Sequence, residues 1–255
     1  MNSALLQWSL LETRWRFVIG LILLSLGACG GVLTYPSIAE LLPQISAFDA
    51  ETFIGREINE SLQLTRTFEG FVWSSGIRQN MTQMLTLFAA LLGTSAQLLP
   101  GANRSLLFIL SLPVTRSQLF ITRTVTGLLE LLLLSLIPAF LIALMAPAIG
   151  EHYALLDSLV HGISLFIVAT VFFSLAAMLS TVFDDPWRPL LISVGVAMGL
   201  ALLSLLTGLP SLFAVMANQA WFESHSLPWG GFLLSLLLSA LMLYTGVTQL
   251  QRRDF

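Results

Sequence analysis

The sequence predicts an all-α, polytopic membrane fold, and three properties carry that expectation. Of 255 residues, 11 are basic and 14 acidic, so 10% are charged, against roughly 25% in a soluble domain. Hydrophobic residues make up 56% and the mean hydropathy is +0.87; a soluble fold could not cover its surface with so few charges. Six stretches approach the roughly 20 apolar residues that a hydrocarbon core requires, each bounded by Pro, Gly or charge.

The spans fall at about 17–33, 81–99, 125–146, 159–183, 190–215 and 231–250. The second stops at Pro100-Gly101, the third before Pro147, the fourth at Asp184-Asp185-Pro186, and the fifth near Gly208 and Pro210. Residues 1–16 carry Leu5, Leu6, Trp8, Leu10, Leu11 and Trp15 in place of a short basic leader, and no A-x-A site follows, so a cleaved signal peptide is not expected. Trp8 and Trp15, seven apart, share a helical face. This favours an N-terminal helix lying in the headgroup layer; the alternative is a plain extension of the first span.

Orientation follows from arginine placement, because cytoplasmic loops hold the excess of basic residues. With the N-terminus inside, Arg14, Arg16, Arg104, Arg116, Arg123, Arg188, Arg252 and Arg253 are cytoplasmic, and Arg56, Arg66 and Arg78 lie outside. Both termini are then cytoplasmic. The outer loop, 34–80, holds Phe53, Ile54, Ile58, Leu62, Phe68, Phe71 and Val72 near helical spacing. An outer amphipathic helix is expected there, either capping the bundle or re-entering toward the membrane.

The inner connection, 100–124, is apolar with three spaced arginines: Arg104, Arg116 and Arg123. Leu106–Leu112 is too short to span, Pro113 breaks it, and Thr115 is an N-cap candidate for a helix running through Arg123. The expected shape is an elbow on the cytoplasmic face.

The run Leu110-Ser111-Leu112-Pro113-Val114-Thr115-Arg116 resembles the L-S-x-P-V-[ST]-R element of ATP-binding-cassette type-2 permeases. The tail Gln251-Arg252-Arg253-Asp254-Phe255 is similar to the R-D-[FIL] ending that many of them carry. Asn103-Arg104 stands where many relatives have an acid–arginine pair. The resemblance implies a coupling helix seated on a separate cytoplasmic ATP-binding subunit, with Leu112, Pro113, Val114, Thr115, Arg116 and Ser117 lining the contact. It also implies a second permease copy, expected to make a homodimer, and a place in the bacterial cytoplasmic (inner) membrane. ATP and Mg would belong to the partner subunit, with no cofactor in this chain. For Arg116 the residues leave a second reading open, an anchor to lipid phosphates.

Composition agrees on one point. All 11 basic residues are Arg, so the chain lacks the lysine of a Walker A ATP site and of Schiff-base chemistry. A net charge of −3 gives no basic footprint for nucleic acid. The single Cys29 and the spacings of His152, His161 and His225 provide no disulfide or metal set.

Polar groups inside spans are the remaining signals. Glu130 is the only acid within a predicted span; such a group is costly and usually functional. It is a candidate for the substrate path or for a hinge with an arginine, the alternative being a shallow interfacial carboxyl. Gln83, Thr94, Ser95 and Gln97 give the second span a polar side facing the bundle or a partner. Gly27/Gly31 and Gly195/Gly199 permit close helix approach, within the chain or across a dimer. The leading expectation is the membrane subunit of an ATP-driven exporter, with no covalent chemistry of its own. A lipid-modifying membrane enzyme would instead require polar residues clustered at one depth, and a secondary transporter paired broken helices or repeats.

Overall fold

The computed structural model describes residues 3–42, 59, 62–96, 115–183, 185–207 and 211–252. They are predominantly helical, with no strand among them. Five helices are long and apolar enough to cross a membrane: Gln7–Leu41, Ser117–Ile149, Leu155–Ser180, Trp187–Thr207 and Trp229–Arg252. The chain is an all-α, multi-pass membrane protein.

Helix α1, Ser3–Leu41, is continuous for 39 residues, about 58 Å at 1.5 Å per residue. The expected interfacial helix over 1–16 is therefore not a separate element but an extension of the first span. No Gly or Pro precedes Gly20 to break it, and Ser9 and Thr13 are buried. The end expected at 33 is also passed: the helix runs through Pro36, whose missing N–H falls near the terminus and costs a single hydrogen bond.

The second rod covers 68–96 and changes winding along its length. Helix α2, Phe68–Phe71, is capped by the Thr67 hydroxyl, which accepts from Gly70 N at 3.2 Å. It passes into a π-helix, Val72–Met81, then α3, Thr82–Gly93, and a 3₁₀ turn, Thr94–Ala96. The described part of the span expected over 81–99 thus holds 12 residues of α-helix, and it is not among the five helices above. The outer loop is correspondingly shorter than 34–80, because both of its ends are helical. Of the expected outer amphipathic helix, residues 43–58 lie outside the described residues; 62–65 are helical, and 68–73 belong to the second rod.

Thr115 is the N-cap of α4, Arg116–Met145. Its hydroxyl accepts from Gln118 N, and the Gln118 side chain accepts from Thr115 N, each at 3.3 Å. This capping box satisfies two otherwise orphaned donors. The short helix expected to end at Arg123 and the span expected from 125 are one helix, since nothing between them breaks it. A 3₁₀ turn, Ala146–Ile149, ends at Gly150, whose φ of 79° is open to glycine. Helix α5, Leu155–Ser180, follows, then α6, Trp187–Thr207. The fifth span ends there, short of 215; Ser211 starts a separate helix, α7, Leu212–Met216, by accepting from Ala214 N at 3.0 Å. Helices α8, Gln219–Ser224, and α9, Trp229–Arg252, complete the chain.

Helix α5 is the axis of the bundle, packed by α3, α4 and α9, while α1 lies along α4. Small residues set the closest crossings. A Cβ on Gly93 would lie 2.4 Å from the Phe173 carbonyl oxygen, and one on Gly127 2.6 Å from the Phe173 ring. At the end of the bundle where α1 finishes, Tyr35, Phe68 and Tyr153 form edge-on ring contacts, with centroids 5.1 and 6.3 Å apart. At the opposite end Arg123 meets Glu12 and Ser95. Successive rods from α1 to α5 therefore alternate in direction. Helix α6 is peripheral; Leu206 is 82% exposed, as suits a helix solvated by lipid.

Candidate functional site

Two polar features stand out in this apolar bundle. The first ties three helices together beside the inner connection. Arg123, in the second turn of α4, is only 3% exposed. Its Nη2 donates to Glu12 Oε2 of α1 at 2.8 Å, and its Nη1 donates to the Ser95 carbonyl, just after α3, at 3.0 Å. Its guanidinium lies 5.0 Å above the Trp8 ring, a cation–π contact strengthened by desolvation. A buried charge costs several kcal/mol unless paired and hydrogen-bonded. Arg123 has both compensations, supplied by elements far apart in the chain.

Arg16 adds a second tie. Its Nη1 donates to the Leu91 carbonyl at 3.3 Å and to the Thr94 hydroxyl at 3.2 Å. Two turns along α4 from Arg123, Glu130 is 3% exposed; its Oε1 accepts from the Thr13 hydroxyl at 2.5 Å. Its Oε2 has no hydrogen-bond partner among the described residues, and Arg16 attracts it electrostatically. The carboxylate singled out in the sequence thus sits where α1, α3 and α4 meet. Arg123, one possible partner seven residues earlier, turns instead to Glu12.

The second feature is a cavity of about 700 Å³ between α3 and α6, within the range of small-molecule sites. Arg78, Thr82, Gln83 and Thr86 form one wall. Val194, Ala197, Met198 and Ala201 of α6 form the other, and Ser211, Phe213 and Gln219 close one side. Gln83 therefore faces this cavity, away from the Glu130 cluster. The α7–α8 unit is held in place by Trp73, whose Nε1 donates to the Ala217 carbonyl at 3.0 Å while its ring stacks on Phe222 with centroids 4.4 Å apart.

Of the expected coupling contact, Leu112, Pro113 and Val114 lie outside the described residues, as do the side chain of Arg116 and all of Gln97. Thr115 is exposed and Ser117 half-buried. Gly27 packs within the chain, since a Cβ there would lie 2.7 Å from Asn80 Nδ2; Gly31, Gly195 and Gly199 have nothing within 4 Å. The sequence reading missed Glu12, Thr13 and Arg16 as partners of the α4 charges. A signal was present: Trp8, Glu12 and Arg16 recur every four residues, one polar face on an otherwise apolar helix. Against known proteins, no family model, no curated protein and no solved structure matches this chain.

Proposed function

We propose that this chain is the permease subunit of an ATP-driven ABC exporter, with six membrane crossings and both termini cytoplasmic, in a bacterial inner membrane. A separate ATP-binding subunit docks on Leu112–Ser117, and a second copy of the chain completes the unit, with Gly195 and Gly199 available on the open face of α6. The observation that carries the reading is the Arg123 tie at the base of the inner connection. A push on the elbow reaches Arg123 within two turns of a capped helix, and Arg123 is bonded to both α1 and the end of α3. The elbow, α1, α3 and α4 therefore move as one lever. The cavity beside α3 is the candidate substrate path, and Gln83 is its polar contact.

A second reading, a membrane enzyme on lipid-like substrates, draws on the two buried pairs Glu12–Arg123 and Thr13–Glu130, which lie close together between α1 and α4. The two readings separate in one experiment. Purification from native membranes yields an ATPase subunit bound to the wild-type chain and lost from Arg116→Glu. If no ATPase accompanies the wild type, or if Arg116→Glu leaves both capture and transport unchanged, docking through this segment fails.

A further inference from the structure

We infer that the cavity between α3 and α6 binds an anionic amphiphile with one apolar chain, its head at Arg78 and its chain along α6. This deepens the permease reading and rests on it only for the role of substrate; the binding itself requires no ATPase. Three observations point to this class of ligand. The first is charge: Arg78 is the sole charged residue among the described residues that line the cavity. Among the described residues its guanidinium has no carboxylate partner, and it is steadied by the Trp73 ring 5.6 Å away. A cation held beside an apolar space, with no acid among the described lining residues, favours an anionic head over a cationic one.

The second is the division of the walls. Below Arg78 the α3 wall presents Gln83, while the facing α6 wall is mostly apolar, Val194, Ala197, Met198 and Ala201 with Ser204 beyond them. Thr82 and Thr86 spend their hydroxyl protons on the Ile77 and Thr82 carbonyls, so they offer methyl groups and acceptor lone pairs to a guest. Among the described lining residues Arg78 is thus the one cationic donor a head group can meet.

The third is size. The α6 lining runs from Val194 to Leu205, about 16 Å at the helical rise. At about 700 Å³ the space suits one extended chain with a compact head, in the usual range for a single small ligand.

The test is direct binding to the full chain in nanodiscs of zwitterionic lipid, by calorimetry, with dodecyl phosphate and dodecyltrimethylammonium as probes. Dodecyl phosphate is expected to saturate at one per chain and to bind roughly tenfold tighter than the cation, the scale of one charged hydrogen bond. Arg78→Gln, an exposed position that tolerates exchange, is expected to erase that preference while leaving thermal stability unchanged. Ala201→Trp is expected to abolish saturable binding of both probes. Equal affinity for the two probes in the wild type overturns the inference, as does unaltered dodecyl phosphate binding in Ala201→Trp. So does a disulfide between two chains carrying Ala197→Cys in a Cys29→Ser background, since Ala197 is buried in the cavity wall and a second copy would then fill the space. Capture of an ATPase without probe binding ends this inference and leaves the permease reading standing; probe binding with no ATPase does the reverse.

Discussion

Arg123 and Glu12, 111 residues apart, meet at 2.8 Å where the chain leaves α3 and enters α4. The pair is asymmetric: Arg123 is 3% exposed and Glu12 26%. Removing a partner from a buried pair leaves an uncompensated charge, at about 3–5 kcal/mol. Glu12→Gln keeps a hydrogen-bond acceptor beside Arg123 and lies nearer solvent, so its cost is expected below that range. Arg123→Met also gives up the bonds to Ser95 and Trp8 and is expected to lower the thermal midpoint further. A double-mutant cycle on the detergent-solubilised protein reads the coupling; strictly additive losses would contradict a working ion pair.

Thr115→Ala removes the cap of α4. Caps of this kind are worth about 1 kcal/mol. The expected result is faster amide hydrogen exchange confined to the first turn, residues 116–119, with the midpoint of unfolding little changed. Unaltered exchange there would mean that the capping box does not hold the elbow.

Gly93 and Gly199 are expected to behave oppositely. Gly93→Ala drives a Cβ into the Phe173 backbone and is expected to abolish folding or lower the midpoint sharply, the cost of an over-packed crossing being about 1–3 kcal/mol or more. Gly199→Ala meets nothing within 4 Å and is expected to leave the monomer's stability unchanged. Thermal scans of the two variants side by side check this.

Tyr153, in the connection before α5, is buried, and desolvation raises its phenol above the ordinary 10.0, with the Asp157 and Glu69 charges acting in the same direction. The sign follows from the two states. Below pH 10 the phenol is neutral folded and unfolded alike. Above it the unfolded chain ionises first, so stability falls as pH rises. Tyr153→Phe is expected to flatten the alkaline limb of a stability-against-pH curve from about pH 10 upward. An identical limb in both proteins would contradict the burial of this phenol.

The legibility of the chain divides along physical lines. Helices α5 and α9 begin and end within a few residues of expectation because Asp184-Asp185-Pro186 and Pro228 are strong local stops. Helix α1 exceeds its expected bounds because apolarity, which marks a span, does not mark where a helix ends; only a breaker does, and Pro36 lies too near the terminus to act as one. The π-helix at Val72–Met81 escapes a reading based on 3.6-residue spacing, since a wider turn shifts the buried positions to Val72, Trp73, Ile77 and Met81. Glu130 was legible as the one acid inside a predicted span. Its contact with Thr13 was not, because it joins positions 117 apart, and local sequence says nothing about which distant helix faces it.

In the proposed permease a separate ATPase seats on residues 112–117 and drives α1, α3 and α4 through Arg123. Amide hydrogen exchange across 110–124, on the permease with and without the ATPase purified alongside it, tests this most directly. Slowed exchange centred on 112–117 is expected when the subunit is bound, and nucleotide is expected to alter exchange in Arg123's turn of α4 in the wild type but not in Arg123→Met. Bound ATPase with exchange over 110–124 unchanged would contradict it.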